Sequence, residues 1–267
     1  MTKVAVVQMT SSSSIAANLS IVEKLLYQGA KEHVNLVILP ENFAFMGKNE
    51  TEKFNIAEPF GEGRIQQAIS QFAKEYNVWI VAGTIPIKTT TKRTRSSCLV
   101  FDNKGLCVAR YDKIHLFDVD VSEKETYLES ATVEPGEASV VVDTPIGRLG
   151  LSVCYDVRFP ELYRQLEKKG AQLFAIPSAF TAITGLAHWD VLLRARAIEN
   201  LCYVLAPNQG GKHENGRHTY GHSMIIDPWG KVLAQQTVDP GIIVAAIDLE
   251  QLKKLRQRFP CNQHHVL

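Results

Sequence analysis

Short apolar runs alternate with amphipathic stretches along the whole chain, and this alternation predicts a series of strands and helices. Apolar runs bounded by turn residues indicate strands, whereas apolar residues that recur every three or four positions indicate helices. The predicted strands are 4–9, 36–39, 78–83, 98–101, 106–111, 139–143, 149–153, 173–176, 203–206, 223–226, 232–236 and 242–247. The predicted helices are 16–32, 65–76, a segment that begins after Pro160, 187–198 and 249–259.

No linker, low-complexity tract or charge block divides the chain, so we expect one α/β domain over residues 1–267. Buried strands need apolar cover on both faces, which predicts two sheets packed face to face with helices on both outer faces. The segments 113–137 and 209–220 are predicted to be irregular loops. A loop as long as 113–137 inside a compact domain is usually functional.

Composition and charge exclude several classes of protein. With 45% hydrophobic residues and a net charge of +1, the chain has no broad basic field, so we expect neither a nucleic-acid nor a membrane partner. The five cysteines are odd in number and lack CxxC spacing, which favours reduced thiols, a cytoplasmic location and no zinc site. The pair His264-His265 lacks further ligand residues nearby. We therefore expect no metal and no cofactor.

Three polar residues follow predicted strands at the point where each strand ends. They are Glu41, Lys113 and Cys154. If these strand ends share one edge of the sheets, a thiol, a carboxylate and an ammonium converge, which is a sufficient set for acyl transfer. Taken singly, each has an ordinary alternative: a solvated loop glutamate, a surface lysine and a small buried thiol.

Cys154 is predicted to stand at a turn, because the strand 149–153 precedes it and helical spacing begins only after Pro160. A thiol at such a turn faces the positive end of a helix dipole, which favours the thiolate. Neighbouring backbone N–H groups can also hold a developing oxyanion.

Three motifs together resemble those of the nitrilase superfamily of carbon–nitrogen hydrolases. They are Leu-Pro-Glu ending at Glu41, Tyr-Asp-Lys-Ile-His-Leu around Lys113, and Gly-Leu-Ser-Val-Cys-Tyr-Asp-Val-Arg-Phe-Pro-Glu around Cys154. Their order and spacing are those of the family, and the likeness covers almost the whole chain. The resemblance implies a four-layer α-β-β-α sandwich that usually pairs into a homodimer.

The resemblance also implies a role for each residue. Cys154 would be the nucleophile, Glu41 the general base and Lys113 the oxyanion ligand, with the backbone N–H of Tyr155 as a second oxyanion donor. Glu129, which lies in the segment 113–137, would support Lys113 and the substrate. The implied product of attack is a thioester, and the implied chemistry uses no cofactor and no metal.

Within the superfamily, the sequence around Arg158, Phe180 and Thr184 resembles the branch that hydrolyses amides of 2-oxo dicarboxylic acids. These residues would hold the 2-oxo carboxylate of a small-molecule amide, because a guanidinium grips a carboxylate through two parallel hydrogen bonds. An ion pair between Arg158 and Glu161 is the structural alternative.

Two activities of that branch stay open. The resemblance favours hydrolysis of deaminated glutathione to 2-oxoglutarate and cysteinylglycine, and the alternative is ω-amidase activity on 2-oxoglutaramate or a related monoamide. An alternative of another class is a non-catalytic relative that binds metabolites or senses oxidants through Cys154. Lys212, Arg217 and His218, in the segment 209–220, are candidates to meet the carboxylate of a peptide leaving group.

Overall fold

The computed structural model describes residues 2–123, 125–264 and 266, and most of their strands form two six-stranded sheets. In chain order, the strands are β1 (Thr2–Gln8), β2 (Leu36–Ile38), β3 (Trp79–Lys88), β4 (Thr94–Phe101), β5 (Cys107–Asp112), β6 (Asp118–Ser122), β7 (Glu125–Leu128), β8 (Val140–Thr144), β9 (Gly147–Leu151), β10 (Leu173–Ala175), β11 (Tyr203–Ala206), β12 (Gly210–Lys212), β13 (His218–Tyr220), β14 (Met224–Ile226), β15 (Val232–Gln235) and β16 (Gly241–Ile247). The first sheet has the order β16-β1-β2-β3-β4-β5 and the second has the order β15-β14-β11-β10-β9-β8.

Alternation along the central strands divides the apolar residues between two faces. In β1, Val4 and Val6 join a core cluster that also contains residues of the second sheet, so this face packs between the sheets. Ala5 and Val7 point the other way, into a separate cluster. A period of two is what a strand buried on both faces requires.

Four of the six helices in the described ranges cover the outer faces of the two sheets. The six are α1 (Ile15–Lys31), α2 (Lys53–Ile56), α3 (Arg64–Glu75), α4 (Pro160–Lys168), α5 (Ala182–Asn200) and α6 (Leu249–Arg258). Helices α1 and α3 pack on the first sheet, while α4 and α5 pack on the second. The predicted α-β-β-α sandwich is therefore confirmed.

Two predicted loops and one helix boundary were wrong. The segment 113–137 contains the β6–β7 hairpin, and the segment 209–220 contains the β12–β13 hairpin. Helix α5 begins at Ala182 rather than 187, because the side chain of Thr181 caps it by accepting from the Thr184 N–H. The first turn of α5 was not predicted because it contains Gly185, a poor helix former. A glycine is required at this position, since a Cβ at Gly185 would lie 2.2 Å from the ring of Tyr220.

Within the described ranges, no helix has the length and apolar character needed to cross a membrane.

Candidate active site

One cavity is lined by all eight residues that the family resemblance assigned to catalysis or to the 2-oxo carboxylate. It lies where β2, β5, β7 and β9 end, and its lining includes Glu41, Lys113, Glu129, Cys154, Tyr155, Arg158, Phe180 and Thr184. Glu41 and Lys113 are 5% and 2% exposed, which rules out a solvated glutamate and a surface lysine.

The backbone around Glu41 is fixed by close packing of the chain. Gly83 has a φ of +30°, and a Cβ there would lie 1.9 Å from the carbonyl oxygen of Pro40, so only glycine allows this approach. The side chain of Gln209 donates to the carbonyl oxygen of Glu41 over 2.9 Å. Thr84 accepts from the N–H of Asn42 over 2.9 Å. The carboxylate is thus presented by a rigid turn.

Lys113 joins the two carboxylates of the site. Its Nζ lies 2.8 Å from Oε1 of Glu41 and 2.9 Å from Oε2 of Glu129. Burial alone would lower the pKa of Lys113, but the charges of Glu129 and Glu41 outweigh it and hold this pKa well above its usual range. Burial would raise the pKa of Glu129, yet Lys113 holds it below its ordinary value. Both groups are therefore charged at neutral pH.

Cys154 begins a 3₁₀ turn, Cys154–Arg158, that joins β9 to α4. Its φ of +47° lies in the left-handed region, which is uncommon for a residue with a side chain and marks a sharp turn. The N–H groups of Cys154 and Asp156 donate to the carbonyl oxygens of Pro177 and Val153 over 2.9 and 3.0 Å. The N–H of Tyr155 has no protein acceptor among the described residues, so a free donor remains next to the thiol.

The surroundings of Cys154 oppose the thiolate that the helix dipole was expected to favour. Burial is the largest influence and raises the pKa of Cys154 well above its ordinary value, and the carboxylate of Glu41 raises it further. Lys113 and the backbone amide of Ala179 lower this pKa, but they do not compensate. Burial and Glu41 therefore favour the neutral thiol of Cys154.

Asp156 links two segments of the site. It is fully buried, and its Oδ2 accepts from the Val153 N–H over 2.8 Å and from the Tyr111 hydroxyl over 2.7 Å. Its Oδ1 accepts from the backbone N–H of His115 over 3.0 Å. Because Tyr111 and His115 flank Lys113, this carboxylate fixes the lysine segment against the cysteine turn.

Arg158 lies in the cavity without the ion pair that was its structural alternative. No carboxylate in the described ranges lies within 4.0 Å of its guanidinium, Glu161 included. It donates to Nδ1 of His188 over 3.2 Å and lies over the ring of Phe180, 5.4 Å from its centroid. Thr184 lies in the first turn of α5, whose N-terminus favours anions. Arg158 and this helix end together suit a carboxylate.

Three further charged residues line the cavity: Glu50 and Lys53, which form an ion pair, and Arg217. The first two were missed because their 3₁₀ turn, Glu50–Glu52, and the four-residue α2 are too short for a periodic signal. Arg217 was named only as one of three candidates in its loop. It donates to the carbonyl oxygen of Ala179 over 2.6 Å and covers the ring of Tyr127.

Over the ranges that the structure covers, no group of three or more His, Cys, Asp or Glu side chains could hold a metal ion. His265 of the terminal histidine pair lies outside the described residues.

Comparison with known proteins identifies the same family as the sequence motifs, and the match extends over nearly the whole chain. The family model described as carbon-nitrogen hydrolase matches residues 3–257. A deaminated glutathione amidase of Synechocystis is 47% identical over 98% of this chain and 97% of its own length. The crystal structure of the Caenorhabditis elegans NitFhit protein matches with a TM-score of 0.93 and 41% identity, covering 99% of this chain and 65% of that one.

The crystal structure of Saccharomyces cerevisiae Nit3, described as a member of branch 10 of the nitrilase superfamily, matches with a TM-score of 0.87 and 34% identity. It covers 97% of this chain and 94% of that chain. This chain is a member of the carbon–nitrogen hydrolase family within the nitrilase superfamily, and it is a hydrolase of carbon–nitrogen bonds.

Proposed function

We propose that this enzyme hydrolyses the amide bond of deaminated glutathione, releasing 2-oxoglutarate and cysteinylglycine. The observation that carries the proposal is an unpaired guanidinium, Arg158, beside the N-terminus of α5 in the cavity that holds Cys154. This pair of cationic features suits the 2-oxo carboxylate of the acyl group. Relatives over 40% identical that are named deaminated glutathione amidase support the same substrate.

The acylation step uses the neutral thiol as it rests. Glu41 accepts the proton of Cys154 while the sulfur attacks the amide carbonyl carbon, so that a charged thiolate need not accumulate in the buried site. Glu41 then donates this proton to the nitrogen of the leaving amine. The carbon–nitrogen bond breaks, cysteinylglycine departs and a 2-oxoglutaryl thioester remains on Cys154.

The oxyanion of the tetrahedral intermediate forms next to two donors. The free N–H of Tyr155 and the ammonium of Lys113 are assigned to it, and the loss of one such donor typically costs about 3 kcal/mol in the transition state. Glu129 keeps Lys113 charged and in place, since its carboxylate lies 2.9 Å from Nζ.

Hydrolysis of the thioester repeats the same steps with water. Glu41 accepts a proton from water, and the hydroxide attacks the thioester carbon. When the intermediate collapses, the sulfur leaves and recovers the proton from Glu41, so the enzyme returns to its resting state. All proton transfers use one carboxylate, and no cofactor enters the scheme.

Two alternatives differ from this proposal in testable ways. An ω-amidase would use 2-oxoglutaramate, which yields the same thioester, so the two substrates differ only in acylation and hence in kcat/KM. A thiol sensor would need an accessible thiol of low pKa, whereas Cys154 is 8% exposed and its pKa is raised.

The test is turnover of deaminated glutathione followed by intact mass spectrometry. We expect a transient 2-oxoglutaryl adduct in the wild type, no adduct and no turnover in Cys154→Ala, and a higher kcat/KM for deaminated glutathione than for 2-oxoglutaramate. A clear preference for 2-oxoglutaramate would instead assign ω-amidase activity. Turnover by a folded Cys154→Ala variant would refute the mechanism.

The assembly and location proposed for the chain are a homodimer of single catalytic domains in the cytoplasm. Helix α5 exposes apolar side chains to solvent, with Leu186 and Val191 at 78% and 66% exposure, and a second copy of the chain would cover them. All five cysteines are free, which fits a reducing compartment. Sedimentation of the wild type and of Leu186→Glu tests the homodimer, since loss of the apolar contact through α5 would give a monomer.

A further inference from the structure

The tip of the β12–β13 hairpin places one arginine at the mouth of the active-site cavity. Arg217 closes a tight turn: the His213 N–H donates to its carbonyl oxygen over 2.9 Å, and its own N–H donates to the side chain of Asn215 over 2.9 Å. Its guanidinium lines both the inner cavity with Cys154 and a wider outer depression next to it. Lys212 and His218, the other candidates of this hairpin, are exposed.

The guanidinium is held in place by contacts that leave its charge unpaired. Nη2 donates to the carbonyl oxygen of Ala179 over 2.6 Å, and the group stacks over Tyr127, 4.9 Å from the ring centroid. Its Nε is buried without a hydrogen-bond partner. No carboxylate of the described residues lies within 4.0 Å of it. The carboxylates of Glu41 and Glu50 stabilise its charge from a greater distance and raise its pKa, but neither forms an ion pair with it, so the guanidinium can still bind a carboxylate directly.

The position of Arg217 relative to the reacting sulfur follows from one peptide segment. The backbone amide of Ala179 faces Cys154, and the carbonyl oxygen of the same residue accepts from Arg217. The guanidinium is therefore near the thiol but displaced toward the outer depression. An extended dipeptide spans about 6–7 Å. A cysteinylglycine leaving group that starts at the reacting carbon would thus end at the mouth of the cavity.

The charges of the cavity separate into paired and unpaired sets. Lys113 is paired with Glu41 and Glu129, and Lys53 is paired with Glu50. Arg158 and Arg217 remain as guanidinium groups without a carboxylate among the residues described. Deaminated glutathione has two carboxylates, one on each side of its scissile amide, whereas 2-oxoglutaramate has one. The number of unpaired guanidinium groups matches the longer substrate.

We infer that Arg217 binds the C-terminal carboxylate of the cysteinylglycine leaving group and so selects deaminated glutathione over 2-oxoglutaramate. This inference rests on the proposed function. Arg158 serves the 2-oxo carboxylate that both substrates carry, and Arg217 serves the carboxylate that only the peptide carries. Binding energy from this remote group acts in acylation, because the leaving group is absent from the thioester.

The experiment pairs enzyme variants with substrate variants. kcat/KM is measured for deaminated glutathione, for its C-terminal carboxamide and for 2-oxoglutaramate, using the wild type, Arg217→Gln, Arg217→Lys and the control Arg158→Lys. In Arg217→Gln we expect the ratio of kcat/KM for deaminated glutathione to that for 2-oxoglutaramate to fall about 10- to 100-fold. Arg217→Lys should restore part of the ratio. Arg158→Lys should lower both values and leave their ratio near that of the wild type.

The carboxamide substrate distinguishes a direct contact from a structural role of Arg217. For the wild type, kcat/KM on the carboxamide should be lower than on the free acid by about the same factor as the Arg217→Gln substitution lowers kcat/KM on the free acid. For Arg217→Gln, kcat/KM on the carboxamide should be little lower than on the free acid. Equal wild-type rates on the acid and the carboxamide would overturn the inference, even if Arg217→Gln fails to fold. A wild type that does not hydrolyse deaminated glutathione at all would overturn the proposed function instead.

Discussion

Glu129→Gln tests whether the second carboxylate of the site has a chemical role. In the wild type, Lys113 lies 2.8 Å from Glu41 and 2.9 Å from Glu129, so two negative charges share one ammonium. The variant keeps the shape of the side chain, and its amide oxygen can still accept from the Phe117 N–H, which now donates to Glu129 over 2.8 Å. The variant removes the charge and replaces one of the two oxygens that accept from Lys113, at 3.1 and 2.9 Å, by an amide NH2 group.

The expected effect on catalysis is large because Lys113 would then have Glu41 as its single carboxylate partner. Glu41 would be held more tightly in the buried ion pair and would accept the Cys154 proton less readily. The oxyanion would also have to compete with Glu41 for the ammonium of Lys113. Loss of one preorganised charge in such a site costs on the order of 3 kcal/mol, which is about 100-fold in kcat.

The expected effect on stability is small, and this contrast makes the prediction specific. Lys113 keeps one carboxylate, so no buried charge is left without a partner, a situation that would cost about 3–5 kcal/mol. We expect the free energy of unfolding to fall by about 1–2 kcal/mol, the loss of a charge-assisted hydrogen bond.

The assay combines steady-state kinetics, single-turnover acylation by rapid quench and denaturant unfolding, with Glu123→Gln as a control that removes an exposed carboxylate nearby. A kcat for Glu129→Gln within about threefold of the wild type would refute the reasoning. A raised KM with unchanged kcat would assign Glu129 to substrate binding alone.

Three further perturbations address recognition, backbone and pH. Arg158→Ala should lower kcat/KM at least about 30-fold for amides with a 2-oxo carboxylate and far less for amides without one; equal losses on both would exclude the carboxylate contact. Gly83→Ala should lower Tm and kcat together, because its Cβ would lie 1.9 Å from the carbonyl oxygen of Pro40. Burial lowers the pKa of His213 below 6.5, so the unfolded chain takes up a proton on this residue at a higher pH than the folded protein does. The stability contributed by the neutral, buried His213 is therefore fully present above pH 6.5 and is lost as the pH falls through the lower, folded-state pKa. Unfolding measured from pH 7.5 downward should show this loss, and His213→Gln should not.

The layers of the fold and the three central residues could be predicted from local signals. Buried strands are short apolar runs, and the polar residues that end them stand out: Glu41 follows Pro40, and Lys113 follows the strand of a hairpin whose turn is apparent in the sequence. The sequence also indicated a sharp turn at Cys154, which its φ of +47° confirms. Such features depend on residues within a few positions of each other.

What could not be predicted depends on contacts between distant segments. The pKa of Cys154 is raised chiefly by burial and by Glu41, which is remote in sequence, and neither influence can be recognised from the turn on which the prediction relied. The first turn of α5 contains Gly185, a poor helix former that fits because the Tyr220 ring packs against it. Arg217 could be named as a candidate, but its buried Nε and unpaired charge become visible only when the hairpin is folded over Ala179.

Division of the charges explains how one small cavity can serve both chemistry and recognition. Lys113 already has carboxylate partners before substrate arrives, so a substrate carboxylate gains little from it, and in the proposed mechanism it remains available to the oxyanion. Arg158 and Arg217 form no ion pair with a described residue, so their guanidinium groups can bind an incoming carboxylate directly. A dianionic substrate is thereby drawn to the two guanidinium groups, and its amide is held between them, beside Cys154. The neutral resting thiol fits this arrangement, because a thiolate there would compete with the substrate for the same positive field.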